Sequence, residues 1–240
     1  MPDIHIQAQS LNDRLVATIS KILTSAGVPN ILWGNYLLTI YGVPTIVDGV
    51  AFVVPDDLTE TASSSLRKAG FAACVKGLGC PFLTAYQRLP LVTHLHIDDE
   101  LVISIYRKSD VLWELSWSDL VSASDPRLPS AVIGRGRGRF APECDSVQVP
   151  HPVRYCETLI LLLCRDHCTK PANYWMAMLS YVLEYVDVDE TDIFDENSLG
   201  EEYQPFYHAL KVGEWSLMYR LLDELRRNMI SGQRLPARQD

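Results

Sequence analysis

Three features of this chain predict an α+β fold. Apolar, β-rich runs stand at 46–54, 91–97 and 101–106, helical periodicity flanks them, and beyond residue 151 apolar residues recur at three and four positions. The expectation is a mixed sheet with flanking helices, followed by a helical C-terminal part. In residue terms this is an α/β domain at 1–120, an extended Gly/Pro/Arg-rich connection at 121–150 and a helical domain at 151–240.

The composition agrees with a folded protein. Of 240 residues, 48% are hydrophobic and 21% charged, too apolar a mixture for a disordered chain. The longest apolar runs, such as Thr158 to Cys164, fall far short of the roughly 20 residues a membrane span requires, so no membrane partner is expected. The first residues, Met-Pro-Asp-Ile-His-Ile-Gln, carry neither a basic leader nor an apolar signal core, which points to a cytoplasmic location. A net charge of −9 argues against indiscriminate binding to nucleic acid and leaves room for a local basic surface. The acidic residues crowd between Glu184 and Glu202, a run that reads as a solvated loop.

Ser10-Leu-Asn-Asp13 reads as a capping box, and Leu11, Leu15, Ile19, Ile22 and Leu23 carry a first helix from about Leu11 to Ala26, where Gly27-Val-Pro29 stops it. Ile31 to Gly42 reads as a strand end, a glycine turn at Gly34 and a helix. Ile46 to Val54 is a buried strand with Asp48 near its start. Thr59 to Ala69 is a helix with a glycine stop at Gly70. Leu91 to Ile97 and Leu101 to Tyr106 form a hairpin around Asp98-Asp-Glu100, and Val111 to Leu115 extends the sheet. Three helical segments come next, at 153–167, 174–186 and 215–229.

Trp33-Gly34-Asn35, the helix to Tyr41, Gly42-Val-Pro-Thr and the strand from Asp48 to Val53-Val-Pro-Asp56 together resemble the signature of small nucleotidyltransferases. In that family a Gly-Gly or Gly-Ser turn opens a helix, the next strand carries two acidic residues two positions apart, and a later strand carries a third. The resemblance implies a nucleotidyltransferase-like mixed sheet. It also implies an incomplete metal site, because Asp48 matches the first acidic position, Val50 stands at the second, and the later strand offers His94 and His96. Imidazole is a poor ligand for Mg²⁺, which prefers oxygen, so no metal and no cofactor are expected. In size, and in lacking any standard catalytic motif, the chain also resembles the fungal arginine-containing cyclodipeptide synthases. That resemblance implies an aminoacyltransferase whose partner is aminoacyl-tRNA.

The candidate residues are chosen by their chemistry. Asp48 sits in an apolar strand, where an unpaired carboxylate is costly, so it is either a site residue or a strand-end group bonded to a loop. His94 and His96 share a strand face and would supply a base near neutrality if that face also held Asp48. Otherwise they are solvated hairpin histidines. Gly34 and Asn35 at the turn, with Glu114 as a carboxylate fork for a guanidinium, are the substrate-binding candidates. Arg135, Arg137 and Arg139, in Gly134-Arg-Gly-Arg-Gly-Arg139, suit contact with RNA phosphates, or else form a solubilising loop.

The six cysteines read as reduced thiols in a chain this long. Cys164 and Cys168, four apart with His167 between them, could ligate a metal on one helix face. Without a second pair nearby they read as buried helix cysteines. Trp113, Trp117, Tyr174, Trp175, Trp215 and Tyr219 read as core and domain interface rather than base-stacking groups. No Gly-x-Ser-x-Gly elbow nominates Ser104, Ser109 or Ser180 as a nucleophile. Three activities therefore stand open: aminoacyl transfer to a cyclic dipeptide, metal-dependent nucleotidyl transfer, and binding without catalysis on the same scaffold. Magnesium-dependent nucleotide binding would mark the second, and a stable protein partner without turnover the third.

Overall fold

The computed structural model describes residues 11–82, 91–188 and 193–237. The chain divides into two compact units, residues 1–112 with 120–150, and residues 113–119 with 151–240. The fold class is α+β.

The first unit is built on a five-stranded mixed sheet of order β1-β2-β5-β4-β3, comprising β1 (Ile31–Trp33), β2 (Gly49–Val54), β3 (Ala72–Ala73), β4 (Leu91–His96) and β5 (Val102–Arg107). Strand β2 runs antiparallel to β1 and parallel to β5, while β4 is antiparallel to both β5 and β3. In β5 the five residues Val102 to Tyr106 are all buried, and β2 is buried at every position but Ala51, as expected of strands covered on both faces. Among the described residues this framework also holds α1 (Asp13–Ser25), α2 (Gly34–Ile40) and α3 (Thr59–Lys68). Helix α3 packs on β4 and β5 and against α1, and α2 lies on β1 and β2. Helix α1 is capped by Asn12, whose side chain accepts from Leu15 N, while the Ser10 part of the expected capping box lies outside the described residues.

Residues 121–150, expected as an extended connection, join the first unit because they pair and dock on it. Strands β6 (Leu120–Ser122) and β7 (Gln148–Pro150) form a small antiparallel sheet, β7 contacts β1, and the Tyr41 hydroxyl donates to Pro150 O. Val111 to Leu115 does not extend the sheet. The chain turns after Arg107 into the one-turn helix α4 (Lys108–Val111), whose Ser109 donates from both its backbone N and its hydroxyl to the Asp56 carboxylate. The bond from Ser109 N satisfies a backbone donor that a strand would have offered to a neighbour.

The second unit is helical, with α5 (Pro152–Arg165), α6 (Lys170–Tyr181, extended by a wider turn at Val182–Val186), α7 (Gln204–Lys211) and α8 (Trp215–Ser231). Among the described residues no helix is long and apolar enough to cross a membrane. The unit's interior is polar at a few matched points. Asp166, 2% exposed, binds the Arg165 guanidinium and accepts from Trp175 Nε1 at 2.7 Å.

Candidate functional site

Asp48 immediately precedes β2, and its carbonyl accepts from Val102 N at 3.3 Å. Gly49 comes next because β5 passes too close for anything larger, a Cβ there meeting Val102 O at 2.3 Å. At the other end of the preceding segment, Gly34 opens α2 with a φ of +73°, the left-handed region that favours glycine. Asn35 donates from Nδ2 to Ile46 O at 3.2 Å and so holds down the loop that delivers Asp48. Gly34, Asn35 and Asp48 thus belong to one local arrangement, with Asn35 acting on the loop.

Cross-strand partners share a face of a sheet. Val50 pairs with Ile103, while Gly49 and Ala51 pair with Val102 and Ser104, which in turn pair with His96 and His94. The two histidines therefore lie on the Gly49 and Ala51 face, and Asp48 with Val50 alternates to the other. On the β5 side of β2, the residue opposite Val50 is the apolar Ile103. Asp56, the other acid of this strand region, is taken up by Ser109.

The histidines have different neighbours. The pairing of Ala73 with Leu95 sets Cys74 beside His94, and Cys80, at the end of a short turn, comes back over His96. Donor atoms of Cys74, Cys80, His94 and His96 all lie within 4.8 Å of one another. His94 is 6% exposed, and its Nε2 has no hydrogen-bond partner among the described residues. Burial, followed by the nearby His96, pushes its pKa below the ordinary histidine value, favouring the neutral ring. The imidazole planes meet edge to face at 5.4 Å, and Phe82 closes on His96 at 5.8 Å. A groove of about 430 Å³ between α3 and the β3–β4 edge is lined in part by Cys74 and His94. The sequence carries the signal as Cys-x₅-Cys followed by His-x-His, which becomes legible once the two short strands are paired.

The backbone of the arginine loop docks on the first unit, while Arg135, Arg137 and Arg139 remain exposed. Gly136 N and Gly138 N donate to Gly42 O and Thr39 O, satisfying carbonyls at the end of α2, and a Cβ at Gly136 would meet Thr39 O at 2.4 Å. Arg137 donates to Leu11 O and lies 5.0 Å over the Tyr36 ring, while Arg139 donates to Pro126 O and Leu128 O. Both groups hold the chain's own backbone.

Glu114 belongs to the second unit, where the expected fork is present and filled. Its two oxygens accept from Arg234 Nε and Nη2, and Glu202 and Tyr203 bind the same guanidinium. These groups line a cavity of about 310 Å³ together with Arg154 and Glu157, themselves paired. Cys164 and Cys168 do not share a helix face: α5 ends at Arg165, and Cys168 lies beyond it with a φ of 61°. Cys164 is buried, which pushes its thiol pKa up to about 12.

No family model and no curated protein matches this chain. Among solved structures, an antigenic nucleotidyltransferase-like protein from Paracoccidioides brasiliensis is similar at 11% identity, over 88% of this chain and 91% of that one, with a TM-score of 0.44. ANT(2")-Ia in complex with adenylyl-2"-tobramycin is similar at 14% identity, over 90% and 97% of the two chains, with a TM-score of 0.39. A solution structure of ANT(2'')-Ia gives 14% identity, 92% and 95% coverage and a TM-score of 0.33. With every score below 0.5, these likenesses assign no activity to the chain.

Proposed function

We propose that the chain is a transferase on a nucleotidyltransferase-type scaffold that works without a two-metal carboxylate centre. In this reading it moves aminoacyl groups from aminoacyl-tRNA into a cyclic dipeptide of the arginine-containing type. The observation that supports it is the make-up of the Asp48 face, where Val50 and Ile103 occupy paired positions and supply no oxygen ligand. Two-metal nucleotidyl transfer requires several hard oxygen donors around its ions. An aminoacyl ester is already activated, and its aminolysis requires positioning and a base. The amine of one aminoacyl group attacks the ester carbonyl of another, the ester C–O bond breaks, and the ribose hydroxyl leaves with the proton. Repetition within the dipeptidyl ester closes the ring. Asp48 is the carboxylate assigned to hold the α-ammonium and to take a proton from it, which frees the amine that attacks.

Metal-dependent nucleotidyl transfer is the second reading, favoured by the retained order of the Gly34 turn, α2 and Asp48. One experiment separates the readings. The full chain is incubated with charged tRNA, with and without Mg²⁺, and in parallel with Mg²⁺ and nucleoside triphosphates, and the small molecules are identified by mass spectrometry. Cyclic dipeptides formed without added Mg²⁺ support the first reading. Nucleotide transfer that depends on Mg²⁺, with no cyclic dipeptide, overturns it in favour of the second.

A further inference from the structure

Two thiols and two imidazoles converge at the β3–β4 edge of the sheet, outside the Asp48 region. We propose that Cys74, Cys80, His94 and His96 form a structural Zn²⁺ site that fastens the 74–80 turn to the edge of the first unit's sheet. Four observations carry this. The donor set of two sulfurs and two nitrogens is the kind that selects zinc over Mg²⁺ or Ca²⁺, which take oxygen. The donor atoms lie within 4.8 Å of one another, and Cys80 Sγ stands 3.9 Å from His96 Nε2. Tetrahedral zinc sets neighbouring donors about 3.3–3.8 Å apart, so small side-chain movements close the shell.

The third observation is the buried His94 Nε2, which has no partner among the described residues and belongs to a ring that gives a donor nitrogen to the cluster. A buried polar atom left without a partner is costly, and a metal bond removes that cost. The fourth is mechanical. Strand β3 is an edge strand of two exposed residues, joined to β4 by the pairs Ala72 with His96 and Ala73 with Leu95. So short an edge is weak alone, and a metal joining the turn after β3 to two residues of β4 makes it a closed unit. With four protein ligands the shell is complete, leaving no open position for a substrate or water, which marks the role as structural.

The test uses the full chain, expressed with zinc and purified without a metal-binding tag or chelator. Elemental analysis is expected to give about one zinc per chain. Cys74 and Cys80 should resist alkylation until a strong chelator is added, whereas the exposed Cys168 reacts throughout. Replacing the zinc by Co²⁺ should produce the visible absorption of a tetrahedral thiolate site, a readout that requires no variant to fold. Cys80→Ser and His94→Ala should cut the zinc content at least about fivefold, with Cys168→Ser unchanged as the control. Wild-type protein that folds with less than about one fifth of a zinc per chain and both thiols freely alkylated would overturn the proposal. A Cys74–Cys80 disulfide in metal-free isolated protein would overturn it equally.

Discussion

Two regions of this molecule gather polar side chains, and they close in opposite ways. In the second unit the carboxylates meet guanidinium or ammonium groups of the same chain: Asp166 with Arg165, Glu157 with Arg154, Glu114 and Glu202 with Arg234. At the β3–β4 edge of the first unit four donors converge, and one buried nitrogen has no partner among the described residues. The difference separates groups that serve the fold by pairing with each other from groups whose arrangement is complete only with a ligand. Asp48 is a third case, a carboxylate just before β2 on the face that carries Val50 and Ile103.

The largest effect should come from breaking a matched pair. Asp166→Ala leaves Arg165, whose side chain is 8% exposed, and the Trp175 indole N–H without their shared acceptor. Removing one partner of such a buried pair costs about 3–5 kcal/mol, read as a lower urea midpoint. A loss below about 1 kcal/mol would show that water replaces the carboxylate there.

Asp48→Asn tests the third case. It retains shape and hydrogen bonding while removing the charge, so stability should change little. Product formation should fall at least about tenfold, or roughly 1.4 kcal/mol of transition-state stabilisation. A clear drop in melting temperature with activity per folded molecule unchanged would make Asp48 a fold residue, like those of the second unit.

A smaller effect is expected at the solvent-facing end of the matched set. Glu202→Gln removes one of the two carboxylates on Arg234, at a site where the partners are 40% and 37% exposed. The loss should be under about 1 kcal/mol and should shrink further in high salt. A loss independent of salt would mean that the clamp acts through geometry rather than charge.

The smallest effect concerns acid. The hydrogen bond from Lys211 holds the Glu196 carboxyl below its ordinary value of 4.5. A depressed folded-state pKa gives stability that is present above the unfolded value and is lost as pH falls through the folded one. Glu196→Gln should therefore lower stability near neutral pH and match the wild type once Glu196 is protonated in both the folded and the unfolded wild type, a comparison made by urea melts across the acid range. An equal deficit at every pH would point to packing instead.

The sequence shows part of this arrangement. The stop of α3 at Gly70 and the sheet's central strands, marked by unbroken apolar runs, are legible because capping and periodicity are local properties, whereas α1 is capped by Asn12, two residues after the Ser10 that the capping-box pattern indicates. Helix α7 at Gln204–Lys211 escapes such a reading because it spans only eight residues beside an acidic stretch. Glu114 is recognisable as a guanidinium fork, but the guanidinium comes from Arg234, 120 positions away.

What the sequence determined by itself is the α+β class, the order of the main elements, and the lone carboxylate at Asp48 with Val50 two positions on. These depend on neighbours along the chain and on side-chain type. Only the tertiary structure decided what those groups meet. Pairing Ala73 with Leu95 turns His-x-His and two separate cysteines into one cluster, and pairing Val50 with Ile103 fixes the Asp48 face as apolar. The Gly-Arg loop is set against the carbonyls of α2, which need its N–H groups. Register and docking join residues far apart in sequence, and no local periodicity records which strands will be neighbours.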